Sequence, residues 1–248
     1  MKWRVIELET RNAYSNMAID NAVMEEVRAG KSIPTIRFYK WLPSAVSIGT
    51  FQSMANEVNV EECNRSNVSY VRRLTGGGAV YHDSNGEITY SVIAPESLFP
   101  KNIIESYKVI CSWVISGLAI LGIKAEFVPI NDIVVNGKKI SGNAQTRRDG
   151  VLLQHGTILY NTDIKKMFSV LKVSKEKISD KFIESVEQRV TKVVDYADVK
   201  QDDVYFALLK GFTKDKEFEF GYFSADELKR AEELEKEVYS ADSWNFNR

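Results

Sequence analysis

The chain has 248 residues, 44% of them apolar and 27% charged, with a net charge of −1. A chain of that length buries a core without metal or disulfide staples, and its near-neutral charge excludes whole-surface attraction to nucleic acid or an anionic membrane. The two cysteines, Cys63 and Cys111, lie far apart with no metal-ligand spacing, which fits a reduced, cytoplasmic setting.

The opening "MKWRVIELET" alternates apolar and charged residues and lacks the apolar run of a targeting segment. "SNMAIDNAVMEEVRAGK" predicts a helix with Ser15 as N-cap and Gly30 as stop. "TIRFYKW" and "AVSIGTF" read as strands joined through Pro43-Ser44, and "VSYVRRL" is a third strand that runs into "TGGG". "EITYSVIA" leaves that loop as a fourth. The uncharged stretch from Val109 to Ile123 is short of the roughly 20 residues a bilayer needs. With Glu105, Lys108, Ser112 and Ser116 at helical spacing, it predicts a mostly buried helix closed by Gly122. "DIVVNGKKI" is a hairpin turning on Asn136-Gly137, and "VLLQHGTILY" is a further strand. From Asp163 onward the chain turns helical and charged. Ser224 and Glu227 form a capping box for a helix through about Tyr239. Strands in the middle and helices at both ends make a mixed α+β chain, not a strict strand–helix alternation.

Three blocks carry candidate chemistry. In "RRLTGGGAVYHD" (72–83), consecutive glycines can aim successive backbone N–H groups into one concavity, a nest for anions, or simply make a tight turn. The spacing fits neither a P-loop nor a dinucleotide fingerprint. Arg72 and Arg73 face opposite sides of their strand, so one of them points toward the loop's ligand side. The only histidines, His82 and His155, each sit beside a glycine-containing segment, either as satisfied core residues or as part of a site. In "NDIVVNGKKISGNAQ", strand alternation puts Lys139 on a face with Ser141, with Gly142 leaving room beside it. Cys111 lies in an apolar helix and Cys63 has no neighbouring histidine, so neither looks like an activated thiolate.

Together with "LLQHGTIL" (152–159) and the closing "YSADSWN" (239–245), these blocks resemble the lipoate-protein ligase A family over essentially the whole chain. The resemblance implies a class II biotin ligase/lipoate ligase-like catalytic domain spanning 1–248, a mixed β-sheet plus a smaller sheet wrapped by helices. It implies formation of lipoyl-adenylate from lipoate and ATP, then transfer to a lysine of a lipoyl-carrier domain. That carrier belongs to an oxo-acid dehydrogenase or to the glycine-cleavage system; neither nucleic acid nor membrane is an expected partner. The first step brings a carboxylate up to an anionic phosphate, a repulsion of about 4 kcal/mol at 4 Å with an effective dielectric near 20. By resemblance, Arg73 and the backbone of Gly76, Gly77, Gly78, Ala79, Val80 and Tyr81 hold the nucleotide. Lys139 bridges the acyl carbonyl and the phosphate, Asp132 with Asn131 anchors Mg²⁺, and His82 and His155 line the site.

The resemblance has two departures. Many family members continue into a small C-terminal domain; this chain stops at Arg248, just after the "SWN" that resembles the end of the catalytic part, so that domain is expected to be absent. A separate accessory subunit is therefore expected to complete the activation step. The alternative activity, an ATP-independent octanoyl- or lipoyltransferase working through a cysteine thioester, needs a thiol. Relatives of that kind place it either just before the strand matching "NDIVV", where this chain reads "EFVPI", or three residues before the histidine of "QHG", where this chain has Leu152.

Overall fold

The structure, a computed structural model, describes residues 1–172 and 189–248. Eleven strands are present among them: β1 (Trp3–Arg11), β2 (Thr35–Trp41), β3 (Ala45–Ile48), β4 (Ser69–Arg72), β5 (Val80–His82), β6 (Glu87–Pro95), β7 (Glu126–Val128), β8 (Asp132–Val135), β9 (Lys138–Arg148), β10 (Val151–Leu159) and β11 (Phe218–Phe220). Eight of these make one mixed sheet in the order β11-β1-β2-β6-β10-β9-β8-β7, and three make a small sheet, β4-β3-β5. This is the α+β architecture, large sheet plus small sheet, that the sequence predicts.

Strand alternation sorts the residues of the large sheet onto two faces. Ile36, Phe38, Ile88, Tyr90, Val92, Ala94, Leu152 and Ile158 are buried in one cluster with the helices Ile103–Ile120 and Gln201–Thr213. Gly117 lets those helices touch: a Cβ there would lie 2.8 Å from Leu208 Cα. Tyr39, Trp41, Ile93, Val151 and Leu153 join the second cluster, against the helix Ala13–Arg28. The polar residues Arg37, Glu87, Thr89, Ser91 and His155 share the parity of that second set and are themselves buried.

Several local expectations shift. The first helix starts at Ala13, because Asn12 accepts the Ser15 amide at 2.8 Å and caps it. Ser15 is thus inside the first turn, whereas Gly30 does end the segment, at φ +70°. β2 and β3 belong to different sheets, so Pro43-Ser44 is a sheet-to-sheet crossing. The glycine loop does not lead straight into "EITYSVIA"; the three-residue β5 intervenes and pairs with β3. The Asn136-Gly137 hairpin forms, with both residues at positive φ (51° and 74°). The helix Ile103–Ile120 is long and apolar enough to cross a membrane by composition, and its Tyr107, Ile110, Cys111, Val114 and Leu118 are buried. Gly122 follows it at φ +76°, as a stop should. The Ser224–Glu227 capping box is present, opening Ala225–Leu234 and a wider turn to Tyr239. After Asp163 a short helix, Ile164–Val170, forms, and part of the predicted helical, charged segment lies in 173–188, outside the described residues.

Candidate active site

Where the second face of the large sheet meets the small sheet there is a cavity of about 140 Å³. Arg73, Gly77, Gly78, Ala79, Val80, His82, Asn131, Lys139 and His155 of the predicted set line it. Gly76 and Tyr81 lie in the same loop and strand, and Asp132 enters through its contact with Lys139. Residues far apart in the chain are thereby brought to one place, as in the Thr75–His155 hydrogen bond across 80 positions.

The loop is moulded from both sides. Gly77 needs its freedom, with φ +93° and Arg73 Nη2 3.0 Å from where a Cβ would stand. Gly49 lets the loop close, since a Cβ on it would lie 2.2 Å from Gly77 O. A Cβ at Gly78 would meet nothing within 4 Å, so its bareness leaves space instead of relieving a clash. That is the form a backbone anion cradle requires.

The two arginines divide as strand alternation demands. Arg73, 4% exposed, turns to the cavity side. Arg72 is fully buried on the other side, donating to Trp244 O, Asn245 O and the 49–52 turn, while Trp244 Nε1 donates back to Arg72 O at 2.9 Å. The "SWN" motif is therefore the support on which β4 rests. Neither guanidinium has a carboxylate ion-pair partner among the described residues. Burial lowers the pKa of both, that of Arg73 to about 10, so Arg73 stays charged at neutral pH.

Lys139 is held more loosely. Its Nζ is 2.7 Å from Asp132 Oδ1, and both side chains are more than a third exposed. The pairing register shifts between Ile133 and Val134, a bulge that breaks strict alternation. Consequently Lys139 shares its space with Gly142, whose Cβ would lie 2.8 Å from Lys139 Cε, while Ser141 is buried away from the cavity. The backbone of Lys139 is clasped by Arg189 O (2.8 Å) and the Thr191 amide (2.8 Å).

Both histidines are cavity-lining and fully engaged. His82 Nδ1 is 2.7 Å from Glu87 Oε1, its Nε2 is 2.8 Å from Ser47 Oγ, and its ring stacks on Trp41 at 3.9 Å. His155 Nε2 is 2.7 Å from Thr75 Oγ1 and Nδ1 is 3.6 Å from Asp20. Burial pulls His155 below its ordinary range against the opposing pull of Asp20, leaving it neutral at pH 7. For Asp20 burial acts upward, but His155, the Arg37 guanidinium at 3.0 Å and Ser91 outweigh it and keep the carboxylate ionised.

Sequence reading missed Asp20, Glu87, Ser47, Thr75 and Asn143. A signal existed for Asp20, an acid set among apolar residues in "MAIDNAV", and for Glu87, which opens a strand. Asn143 bridges Tyr90 OH (2.6 Å) to the Asn131 carbonyl (2.9 Å), and Gly156 makes room for its amide.

Around Asp132 no group of three or more His, Cys, Asp or Glu that could hold a metal occurs among the described residues. Neither cysteine lines the cavity. Burial pushes the Cys63 thiol up to about 11 and the Cys111 thiol to about 12.

A model of the lipoyl protein ligase A/B catalytic domain matches residues 12–213. The chain belongs to that family. Octanoyltransferase LipM of Brevibacillus brevis is 36% identical over 276 aligned positions, covering 100% of this chain and 99% of that protein. The bi-partite lipoate protein ligase of Thermoplasma acidophilum, solved as part of an archaeal lipoylation system with its E2 lipoyl domain, superposes with a TM-score of 0.90 at 34% identity, covering 99% of this chain and 96% of that one. A lipoate-protein ligase A bound with ATP superposes at 0.85 and 31% identity, with 99% of each chain covered. As a member of this family the chain is an enzyme of protein lipoylation.

Proposed function

We propose that this family member activates lipoate or octanoate with ATP and transfers the acyl group to a lysine of a lipoyl-carrier domain. The observation that carries the reading is the absence of a thiol: the only two cysteines are buried off the cavity. A covalent acyl-cysteine route has no nucleophile here. The cavity offers instead what an acyl-phosphate anhydride needs. The glycine loop presents bare backbone, and the buried Arg73 guanidinium sets a positive field. Lys139, a compact ammonium, reaches both the acyl carbonyl and the phosphate. As the carrier lysine attacks, Lys139 neutralises charge developing on the carbonyl oxygen and on the departing phosphate. Mg²⁺ takes one or two carboxylates plus phosphate oxygens. Among the described residues Asp132 is the carboxylate paired with Lys139, with Asn131 beside it, so these two would hold Mg²⁺ and the nucleotide would supply most of its ligands. The accessory subunit expected from the sequence belongs to this reading, and the bi-partite ligase relative supports it.

The identity to octanoyltransferase LipM favours a second reading, transfer from a pre-formed octanoyl donor without ATP. One experiment separates the two. A lipoyl-carrier domain is incubated with the chain and either octanoate plus Mg-ATP or an octanoyl thioester, and its mass is measured, for wild type and a C63S/C111S double variant. Acylation that needs ATP and survives loss of both thiols is expected. Acylation from the thioester alone, lost in the double variant, would sink the proposal.

A further inference from the structure

Arg73 spends every N–H it has on protein oxygens. Nε donates to Thr75 Oγ1 (3.0 Å), Nη1 to Ser47 O (3.0 Å) and Ser47 Oγ (3.2 Å), and Nη2 to Gly76 O (2.7 Å) and Gly78 O (2.8 Å). A guanidinium has five donors, and five bonds are made. None is left for a ligand.

The two hydroxyls that accept from Arg73 must each send their own proton elsewhere. Thr75 meets His155 Nε2 and Ser47 meets His82 Nε2. Among the described residues neither hydroxyl has another hydrogen-bond acceptor, so each proton is assigned to Nε2, and the ring proton then belongs on Nδ1. His82 Nδ1 then donates to Glu87, and His155 Nδ1 faces Asp20, at 3.6 Å oriented by charge more than by a direct hydrogen bond. Two chains thus run outward from one buried cation, one ending on the Glu87 carboxylate by a hydrogen bond and the other beside the Asp20 carboxylate, and cooperative polarisation strengthens the hydrogen-bonded links.

We propose that Asp20 and Glu87 are positioning residues which, through the Nδ1–H tautomers of His155 and His82 and the hydroxyls of Thr75 and Ser47, orient Arg73, and that Arg73 shapes the glycine loop instead of gripping the anion itself. By drawing the Gly76 and Gly78 carbonyls inward, Arg73 leaves the loop's amides to the cavity. This refines the role the sequence assigned to Arg73, and only its choice of ligand rests on the reading above.

The test begins with ligand-free protein. With two histidines in the chain, ¹⁵N long-range spectra at pH 7 are assignable from an H155Q variant. Both rings are expected as Nδ1–H, and an Nε2–H ring at either position overturns the proposal. In E87Q the amide can donate as well as accept, so His82 is expected to become a mixture of tautomers; an unchanged spectrum would remove Glu87 from the chain of control. Hydrogen exchange over residues 74–80 in ligand-free R73K is expected to quicken by about tenfold, since an ammonium has too few donors to hold the loop. An unchanged rate would mean that Arg73 does not shape the loop. Should R73K fail to fold, the tautomers decide alone. Titration of wild type with AMP is run in parallel: no binding counts against the adenylate reading and leaves these ligand-free outcomes standing.

Discussion

Arg73 and Lys139 face the same cavity and are held in opposite ways. Arg73 is 4% exposed and saturated by five hydrogen bonds, whereas Lys139 has a 41% exposed side chain and one carboxylate partner. The first is built into the fold and cannot move without breaking it. The second lies over Gly142, partly exposed, with room to follow a charge that changes place during a reaction. The difference separates two tasks that a basic residue in a site can have, shaping a cradle and answering developing charge.

The largest effect that sharpens this contrast falls on the loosely held cation. K139M keeps the aliphatic stem and removes the ammonium. Acyl transfer to the carrier should fall about 10²- to 10³-fold, the usual cost of one lost charge-stabilising donor. The melting temperature should barely change, because exposed ion pairs contribute about 0–1 kcal/mol. A large stability loss with modest rate loss would invert the comparison.

On the rigid side the expected effect is on the fold. In G49A the new methyl would sit 2.2 Å from Gly77 O, a backbone atom with no flexible end to yield. Overpacking of this kind costs roughly 1–3 kcal/mol. Calorimetry should show a lowered melting temperature, and a variant as stable as wild type would mean that the loop is not clamped.

The smallest effect is a pH slope. His155 has its folded pKa below the unfolded value of about 6.5. Above that pH neither state binds the proton. Below it the unfolded chain takes one that the folded chain refuses, so stability declines as pH falls, by up to about 1.4 kcal/mol per unit. Asp20 is also depressed, and its contribution is lost only below the unfolded value of about 3.9. Melting curves between pH 7 and 5 should therefore drop for wild type and flatten for H155Q. A flat wild-type curve would place His155 outside the buried chain.

By itself the sequence determined the strand and helix menu, the turn at Asn136-Gly137, the capping box at Ser224, and part of the set of residues that gathers at the cavity. Those are local signals, carried by periodicity, special backbone angles and a motif. It also required that Arg72 and Arg73 diverge, because adjacent strand residues cannot share a face. Only the tertiary structure decided which arginine lies inside, that "SWN" supports Arg72, and that Asp20 and Glu87 stand behind the histidines. Those pairings join residues as far apart as 173 positions, as between Arg72 and Asn245, and no local pattern encodes such a contact. The bulge that turns Lys139 onto Gly142 was hidden for a related reason. Alternation is a rule of regular pairing, and one extra residue in β9, set by how that strand meets β8, is enough to overrule it.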